Sequence, residues 1–414
     1  MINWEIKELS ELCLKAVDCV NKTAPLAEKK TIYKMLRTTN IRNGFIDFEN
    51  VRYVDKDIYE KWTRRVKPIY GDVVFTREAP VGEVGRFTSK EGNFFLGQRT
   101  FLYRPDPKKL DWNFLAYLLQ SPQIQGWVNG IAYGATVPHL KVGDMENLRI
   151  PTPNLSIQIE IARILSKYDD LIENNIKKIN LLEHKAHTTY QKWFISMKFP
   201  GYKSTFIDLK TGLPKGWSSQ FFSDNVDLIK GFEPGASSYE NENNPNMVPF
   251  LRVGDLSKRN SDLFISKKEK NLRLASYRDV LLTLDGSPGQ VKFGLSGAYS
   301  SGIRKASIKN KLFSPIFVYC YLKSSPIQFL INAHATGTTI LHAGSCVKYM
   351  KINLPNEELL KLFNQRMMPI YELILNLLDQ NKLLLEARNI LLPRLMEGTM
   401  NLEDYKNLNI RINK

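Results

Sequence analysis

Apolar residues recur at three- and four-residue steps in two long stretches of the chain. In the first they fall at Ile157, Ile161, Ile164, Tyr168, Leu171 with Ile172, Ile176, Ile179 and Leu182, and no proline interrupts residues 154–199. In the second they fall at Leu360, Phe363, Met367, Ile370, Ile374, Leu377, Leu384 and Leu391, with Asn381 and Arg388 at in-register polar places. A sustained alternation of three and four predicts a long helix with an apolar seam in each stretch. About 30 residues at about 1.5 Å each reach roughly 45 Å. Pro369 lacks a backbone donor, so the second stretch is expected to be a short helix followed by a long one that begins near the proline. The simplest cover for each seam is the other seam; the alternative is that each helix packs only on its own domain.

The remaining stretches read as mixed α and β. Short β-branched or aromatic runs at 72–76, 94–95 and 280–283 alternate with Gly, Pro and Asn turns. Residues 111–119 and 313–322 have apolar positions at helical spacing and lead to Ser-Pro pairs that end them.

The two halves repeat. Leu36 and Arg37 followed by Asn40 and Ile41 match Leu251 and Arg252 followed by Asp255 and Leu256. GDVVFT ending at Thr76 matches RDVLLT ending at Thr283, and Gly82 and Val84 match Gly289 and Val291. Ser121 and Pro122 match Ser325 and Pro326, GATVPHL (134–140) matches GTTILHA (337–343), and Pro153 and Asn154 match Pro355 and Asn356. The offsets fall in order from 215 to 202 residues. Such a unit is far too long for a solenoid and is a duplicated pair of one globular domain and one helical segment. Between the signposts, TREAPVGEVGRFTSKEGNFF shares little with TLDGSPGQVKFGLSGAYSSG beyond glycines and valines.

Charge adds a partner class. The net charge is +16, of which +5 lies in residues 1–150 and +9 in residues 200–352, while residues 151–199 carry +2 and residues 353–414 none. Cations concentrated in the globular stretches suit a polyanion. The four cysteines (Cys13, Cys19, Cys320, Cys346) form no CxxC pair, which fits a reducing cytoplasm better than a disulfide framework or a zinc knuckle. The N-terminus lacks a signal-peptide layout, and no apolar run is long enough to span a bilayer.

Catalytic motifs were sought as well. There is no GxxxxGK[ST] loop, HExxH or GxSxG, and no glycine-rich methyltransferase fingerprint follows a strand. Glu28-Lys29-Lys30 fits an acid-x-Lys nuclease triplet but has no positioned upstream aspartate. His184 and His187 lie one helical turn apart without a nearby cysteine, so a metal site is not expected.

In its ordered double motifs the chain resembles the specificity subunit of type I restriction-modification systems. The resemblance spans residues 3 to about 398. GLPKGW (212–217), LRTTNIRNG (36–44) with LRVGDLSKR (251–259), GDVVFT with RDVLLTLDGSPGQ, and the run from GATVPHL into LRIPTPNLSIQIEIARIL (134–165) carry it. It departs in the second half, which lacks a counterpart of Gln158 and adds Pro369.

The resemblance implies an α+β fold: two mixed α/β target-recognition domains, separated by two long helices that pair as a coiled-coil spacer in an internal pseudo-twofold repeat. The expected division is a first recognition domain at 1–153 and a helix at 154–199, then a second domain at 200–355, a helix at 356–398 and a tail at 399–414. It also implies double-stranded DNA as partner, two modification subunits that bind S-adenosylmethionine, and restriction subunits held through them. The chain itself would bind no cofactor and catalyse nothing. Ile157, Ile161, Ile164, Tyr168, Ile172, Leu360, Phe363, Met367, Ile370, Ile374 and Leu377 would form the spacer and docking helices.

Each domain would read one half of a split, asymmetric target, with half-sites roughly one DNA turn apart, about 34 Å. Arg and Lys suit guanine, and Asn and Gln suit adenine. Candidates on turn-rich stretches of the first domain are Arg42, Asn43, Arg77, Arg86, Gln98, Arg99, Tyr133, Thr136, His139 and Lys141. In the second they are Lys258, Arg259, Asn260, Lys292, Arg304, Lys305, Thr338, Thr339, His342 and Lys348. His139 and His342 occupy matched places and suit a structural role equally well. The other readings are a fused restriction enzyme with cryptic chemistry, against which the missing motifs speak, and a protein-only coiled-coil scaffold, against which the charge distribution speaks.

Overall fold

The computed structural model describes residues 4–134, 138–235, 238–241, 244–259, 261–338 and 340–400. The chain divides into two compact units, one made of residues up to Ile172 together with those from Lys382 onward, the other of Glu173–Asn381. Both cuts fall inside the long helices, so each unit holds one globular part and a piece of each helix.

Besides a short hairpin of Ile41–Arg42 with Phe45–Ile46, the strands of the first unit are β1 (Glu5–Glu8), β2 (Cys13–Asp18), β3 (Tyr33–Leu36), β4 (Arg52–Val54), β5 (Val73–Thr76), β6 (Val84–Arg86), β7 (Asn93–Leu96), β8 (Thr100–Pro105) and β9 (Arg149–Thr152). An antiparallel sheet runs β2-β8-β5-β6. In a second sheet, β3 pairs antiparallel with β4 and parallel with β7. β1 and β9 form a ribbon that joins the start of the domain to its end. Every residue of β5 is buried, as is Phe101-Leu102-Tyr103 of β8, which explains the near-continuous apolar runs.

The second unit repeats this plan. Its strands are β10 (Ser218–Phe221), β11 (Val226–Lys230), β12 (Met247–Leu251), β13 (Phe264–Ser266), β14 (Leu281–Thr283), β15 (Val291–Lys292), β16 (Gly297–Tyr299), β17 (Ile303–Ile308) and β18 (Lys351–Leu354). The sheet order is β11-β17-β14-β15, all antiparallel. β12 again pairs antiparallel with one neighbour, β13, and parallel with the other, β16, and β10 again pairs with β18. A two-residue strand at Leu274–Ala275 is added at the edge of β16. The same strand orders and pairing senses thus recur in both units.

Helices α1 (Trp112–Gln120) and α2 (Pro122–Ile131) in the first unit correspond to α4 (Pro315–Leu322) and α5 (Ser325–Ala333) in the second. Each Ser-Pro pair does more than end a helix. Proline, pre-set for a first helical turn, starts the next one, α2 directly and α5 one residue in.

The long helices are α3 (Leu155–Tyr190) and α6 (Glu357–Met396). The expected break at Pro369 is absent: α6 passes through both Pro369 and Pro393 without interruption. An interior proline costs about 3 kcal/mol. Met367, Ile370, Tyr371 and Ile374 flank it, all buried in the core of the second unit, and each such side chain contributes roughly 1.5–3 kcal/mol. The packing outweighs the lost bond.

Within each unit, seam residues join the domain core. In the first, Ile161, Ile164 and Leu165 share a core with Leu392, Leu395 and Met396. In the second, Ile179, Ala186 and Tyr190 share one with Leu360, Phe363, Met367, Ile370, Ile374 and Leu377. The polar places in the α6 seam find polar partners on α3. Asn175 Nδ2 donates to Asn381 Oδ1 at 2.9 Å. Arg388 Nη1 reaches Asp169 Oδ1 at 2.8 Å.

Asp169 is the centre of a buried network. Its other oxygen, Oδ2, accepts from Arg86 Nη2 at 2.7 Å and from the Tyr117 hydroxyl at 2.5 Å. Asp169 and Tyr117 are fully buried, and Arg86 and Arg388 nearly so. Four elements, β6, α1, α3 and α6, therefore meet on one carboxylate. Burial raises the Tyr117 hydroxyl far above its ordinary pKa, so it is a donor at every accessible pH. At the matched place the second unit carries an aromatic pair instead: Phe293 and Tyr371 rings lie 4.7 Å apart.

The glutamine near the start of α3 has a counterpart after all. Gln158, fully buried, accepts from the Asp111 backbone N–H at 2.9 Å and donates to the Lys109 and Pro153 carbonyls at 3.1 and 2.8 Å. In the second unit Asn364 takes this part, accepting from Ser314 Oγ at 2.6 Å and donating to the Leu312 carbonyl at 2.8 Å. Asp111 and Ser314 are the N-caps of α1 and α4. A shorter amide, placed further along the helix, ties the same two elements.

Asp169→Ala is expected to cost about 3–5 kcal/mol, because it strands two buried guanidinium groups. The triple replacement Arg86→Met, Asp169→Leu, Arg388→Met should recover most of that loss. Urea midpoints of the three proteins check this; an Asp169→Ala chain as stable as its parent would contradict it.

Candidate nucleic-acid interface

The strongest structural likeness between the units lies in a loop that the sequence comparison found dissimilar. After β5, Thr76 Oγ1 donates to the Pro80 carbonyl at 2.6 Å and accepts from the Glu83 N–H at 3.0 Å. After β14, Thr283 Oγ1 donates to the Ser287 carbonyl at 2.6 Å and accepts from the Gln290 N–H at 3.0 Å. Gly82 and Gly289 close the two loops on the Thr76 and Thr283 carbonyls, both at 2.9 Å. Their φ values are 91° and 92°, where glycine alone sits without strain. A Cβ on either would come within 2.7 Å of a glutamine side chain, Gln125 or Gln328. Those glutamines also bond the ends of the preceding helices, at the Leu119 and Leu322 carbonyls, each at 2.7 Å. A threonine, a glycine and a glutamine hold the frame, and the other loop side chains are free to differ.

Around the first loop the structure gathers several candidates. Arg99, at φ 72°, places Nε 3.0 Å from Glu78. Tyr133 and His139 exchange backbone hydrogen bonds at 2.9 and 2.8 Å, and Lys141 Nζ lies 4.0 Å from the Tyr133 ring centre. The Leu140 N–H donates to the Arg77 carbonyl at 3.1 Å, fastening that strand to the loop. Arg42 reaches Glu83 at 2.7 Å, and the Asn43 N–H donates to the same carboxylate at 3.0 Å.

The second loop is built likewise. Arg304 Nη2 and His342 Nδ1 lie 3.1 and 2.9 Å from the two oxygens of Asp285. The Ala343 N–H donates to the Leu284 carbonyl at 2.7 Å. His342 and Thr336 exchange backbone bonds at 2.7 and 3.0 Å. Glu78 and Asp285, at matched places, thus each hold an arginine, although Arg99 and Arg304 stand at different register positions. Sequence reasoning missed both because it sought cations and amides; their shared position, two residues after the matched threonines, was the available signal.

Three candidate cations are corrected by burial. Arg86 is committed to Asp169. Arg77 is buried and donates to the Leu140 carbonyl at 2.8 Å. Arg304 is buried against Asp285. None of the three is a surface group; each braces the frame. Arg259 is half-buried, held by Glu183 at 2.9 Å and the Phe293 carbonyl at 2.7 Å. Lys292 is half-buried too, and burial lowers its pKa from the usual lysine value.

The other candidates are spread more widely. Lys305 bonds the Leu274 carbonyl at 3.0 Å, and Lys348 lies over the Tyr349 ring. Gln98 is half-buried and accepts from Thr23 Oγ1 at 3.3 Å. Arg42, Asn43, Tyr133, Lys141, Lys258, Thr338, His342 and Lys348 are exposed. Thr136, Asn260 and Thr339 lie outside the described residues. Among the described residues no group of acidic, histidine and cysteine side chains could hold a metal ion, and no helix is long and apolar enough to cross a membrane.

Known proteins are similar to this chain in sequence. Residues 1–184 match the family model described as the type I restriction modification DNA specificity domain. The MjaIX specificity subunit of Methanocaldococcus jannaschii is 25% identical over 382 residues, 86% of this chain and 86% of that one. The putative MjaX specificity subunit of the same organism is 27% identical over 391 residues, 90% of this chain and 88% of that one. Over most of its length the chain is similar to type I restriction specificity subunits. A crystal structure of a type I S subunit from M. genitalium aligns over 97% of this chain and 96% of its own, with 18% identity and a TM-score of 0.49. For a specificity subunit, one loop frame bearing two sets of side chains is a suitable device.

If the frame is shared, its glycines are equally demanding. Gly82→Ala and Gly289→Ala should each lower stability by about 1–3 kcal/mol through left-handed strain and crowding. Thermal melts check this, and an unchanged melting temperature in either variant would contradict it.

Proposed function

We propose that this chain is the DNA-reading subunit of a type I restriction-modification complex, in which each unit reads one half of a split target and neither carries an active site. The observation that carries this reading is the paired loop frame: Thr76, Gly82 and Gln125 against Thr283, Gly289 and Gln328, with unlike side chains between. A frame that stays while its side chains change suits half-sites of different sequence. Affinity comes mainly from phosphate contacts by the exposed cations and falls with salt. Discrimination comes from side chains at base edges, with Arg42, Arg99, Tyr133 and Lys141 as the leading candidates of the first unit and His342, Thr338 and Lys258 of the second.

The long helices serve as a paired spacer and as docking sites for two modification subunits, which bind S-adenosylmethionine and link the restriction subunits. Exposed apolar side chains on the helices, Ile159, Leu171, Ile176 and Leu181 on α3 and Leu373, Leu383 and Ile390 on α6, support that part. Solvated helix faces rarely carry so many.

The test is to co-purify the chain with its modification subunit and map methylation on a random DNA library. The expected result is a split motif with two unlike halves. Arg99→Ala should relax one half only, and His342→Ala the other only. Methylation without a defined motif, or one variant altering both halves, would overturn the reading. Binding of the partner without any effect of DNA would favour a protein scaffold instead.

A further inference from the structure

A cationic groove lies away from both loops, where the end of α3 meets the start of α6 within the second unit. One part, about 600 Å³, is lined by His184, Lys185, Thr188, Lys192, Trp193 and Arg366. It continues past Lys192, Trp193 and Arg366 into a second part lined also by Lys198 and Lys203. No aspartate or glutamate lines either part. Residues 184–203 contain four lysines and no acid. Lys185, Lys192, Lys198, Lys203 and Arg366 are all exposed, and none forms an ion pair among the described residues. Arg366 is laid over the buried Trp193 ring, 5.4 Å from its centre.

The other unit does not repeat this. At the 202-residue offset that matches Asn154 to Asn356, the place of Arg366 is taken by Ile164, which is fully buried. The exposed arginine at this place is thus found only in the second unit, where five unopposed cations gather at a standing Coulomb cost that a bound polyanion would relieve.

We propose that this groove binds the phosphodiester backbone of DNA beyond the bases read by the loops. Point-charge lysines, an arginine fixed on an aromatic ring and a threonine hydroxyl suit phosphate oxygens. The arrangement supports it: Lys185 near the end of α3 and Lys192 in the π-helical turn that follows (Gln191–Ile195) line the groove together, and it runs on to Lys198 and Lys203. The groove makes contacts that are blind to sequence and biased to one side of the target. This inference rests on the DNA-reading function.

The test uses the full chain in complex with its modification subunit and a long duplex carrying the methylated motif. Binding is measured against salt for the parent and for the triple variant Lys192→Gln, Lys198→Gln, Lys203→Gln. Each lost phosphate contact flattens the slope of log affinity against log salt by about 0.9. The expected slope is therefore shallower by roughly 2.7, with the methylated motif unchanged. Arg366→Gln should flatten it by about 0.9. An unchanged slope with weakened capture of the modification subunit overturns the proposal and assigns the groove to an acidic protein segment. An unchanged slope with capture intact overturns it in favour of a solvated face. A parent complex that binds no DNA overturns the function reading, and this proposal with it.

Discussion

One buried carboxylate fixes how the first unit is assembled. Asp169 sits on α3, fully removed from water, and takes Arg86 from β6, Tyr117 from α1 and Arg388 from α6. Two of these groups are more than 200 residues apart in the chain, so the end of the last helix is held to the domain formed by the first residues. An apolar seam alone is tolerant of sliding. A buried charge is not, because any shift leaves it unpaired at a cost of several kcal/mol. Asn175 and Asn381 act in the same sense in the second unit, where a polar pair in an apolar seam favours one register.

The duplication has diverged in a patterned way. Strand order, the Ser-Pro helix starts and the threonine-glycine-glutamine loop frame are kept in both units. What changes is the chemistry that fills a given place. Arg86 with Asp169 becomes Phe293 with Tyr371, and the amide of Gln158 is replaced by that of Asn364 a turn further along. Each exchange keeps a contact at that place, so the fold tolerates it. The side chains left free by this conservation of contact are the ones on the loops, which is where a reader of two unlike sequences needs variation.

Much of this was legible in the sequence. The heptad steps gave the long helices, and the ordered offsets gave two copies of one plan. The continuity of α6 was not legible, because a proline rule weighs one lost hydrogen bond and cannot see the buried side chains on both sides of it. The amide at Asn364 was hidden because it lies a turn away from the position that matches Gln158. Burial was the main error at the site. Arg77, Arg86 and Arg304 look like loop cations in the sequence, yet each meets its partner only in three dimensions. Glu78 and Asp285 were passed over because an acid is an unusual thing to seek on a DNA-binding surface; here the acids hold the arginines.

Two like-built units of a DNA-reading subunit should each engage their own stretch of DNA. Hydroxyl-radical footprinting of the complex on its methylated target tests this most directly. The expected result is two protected patches separated by an accessible gap, with Arg99→Ala weakening one patch and leaving the other. A single continuous footprint, or one that Arg99→Ala weakens throughout, would contradict it.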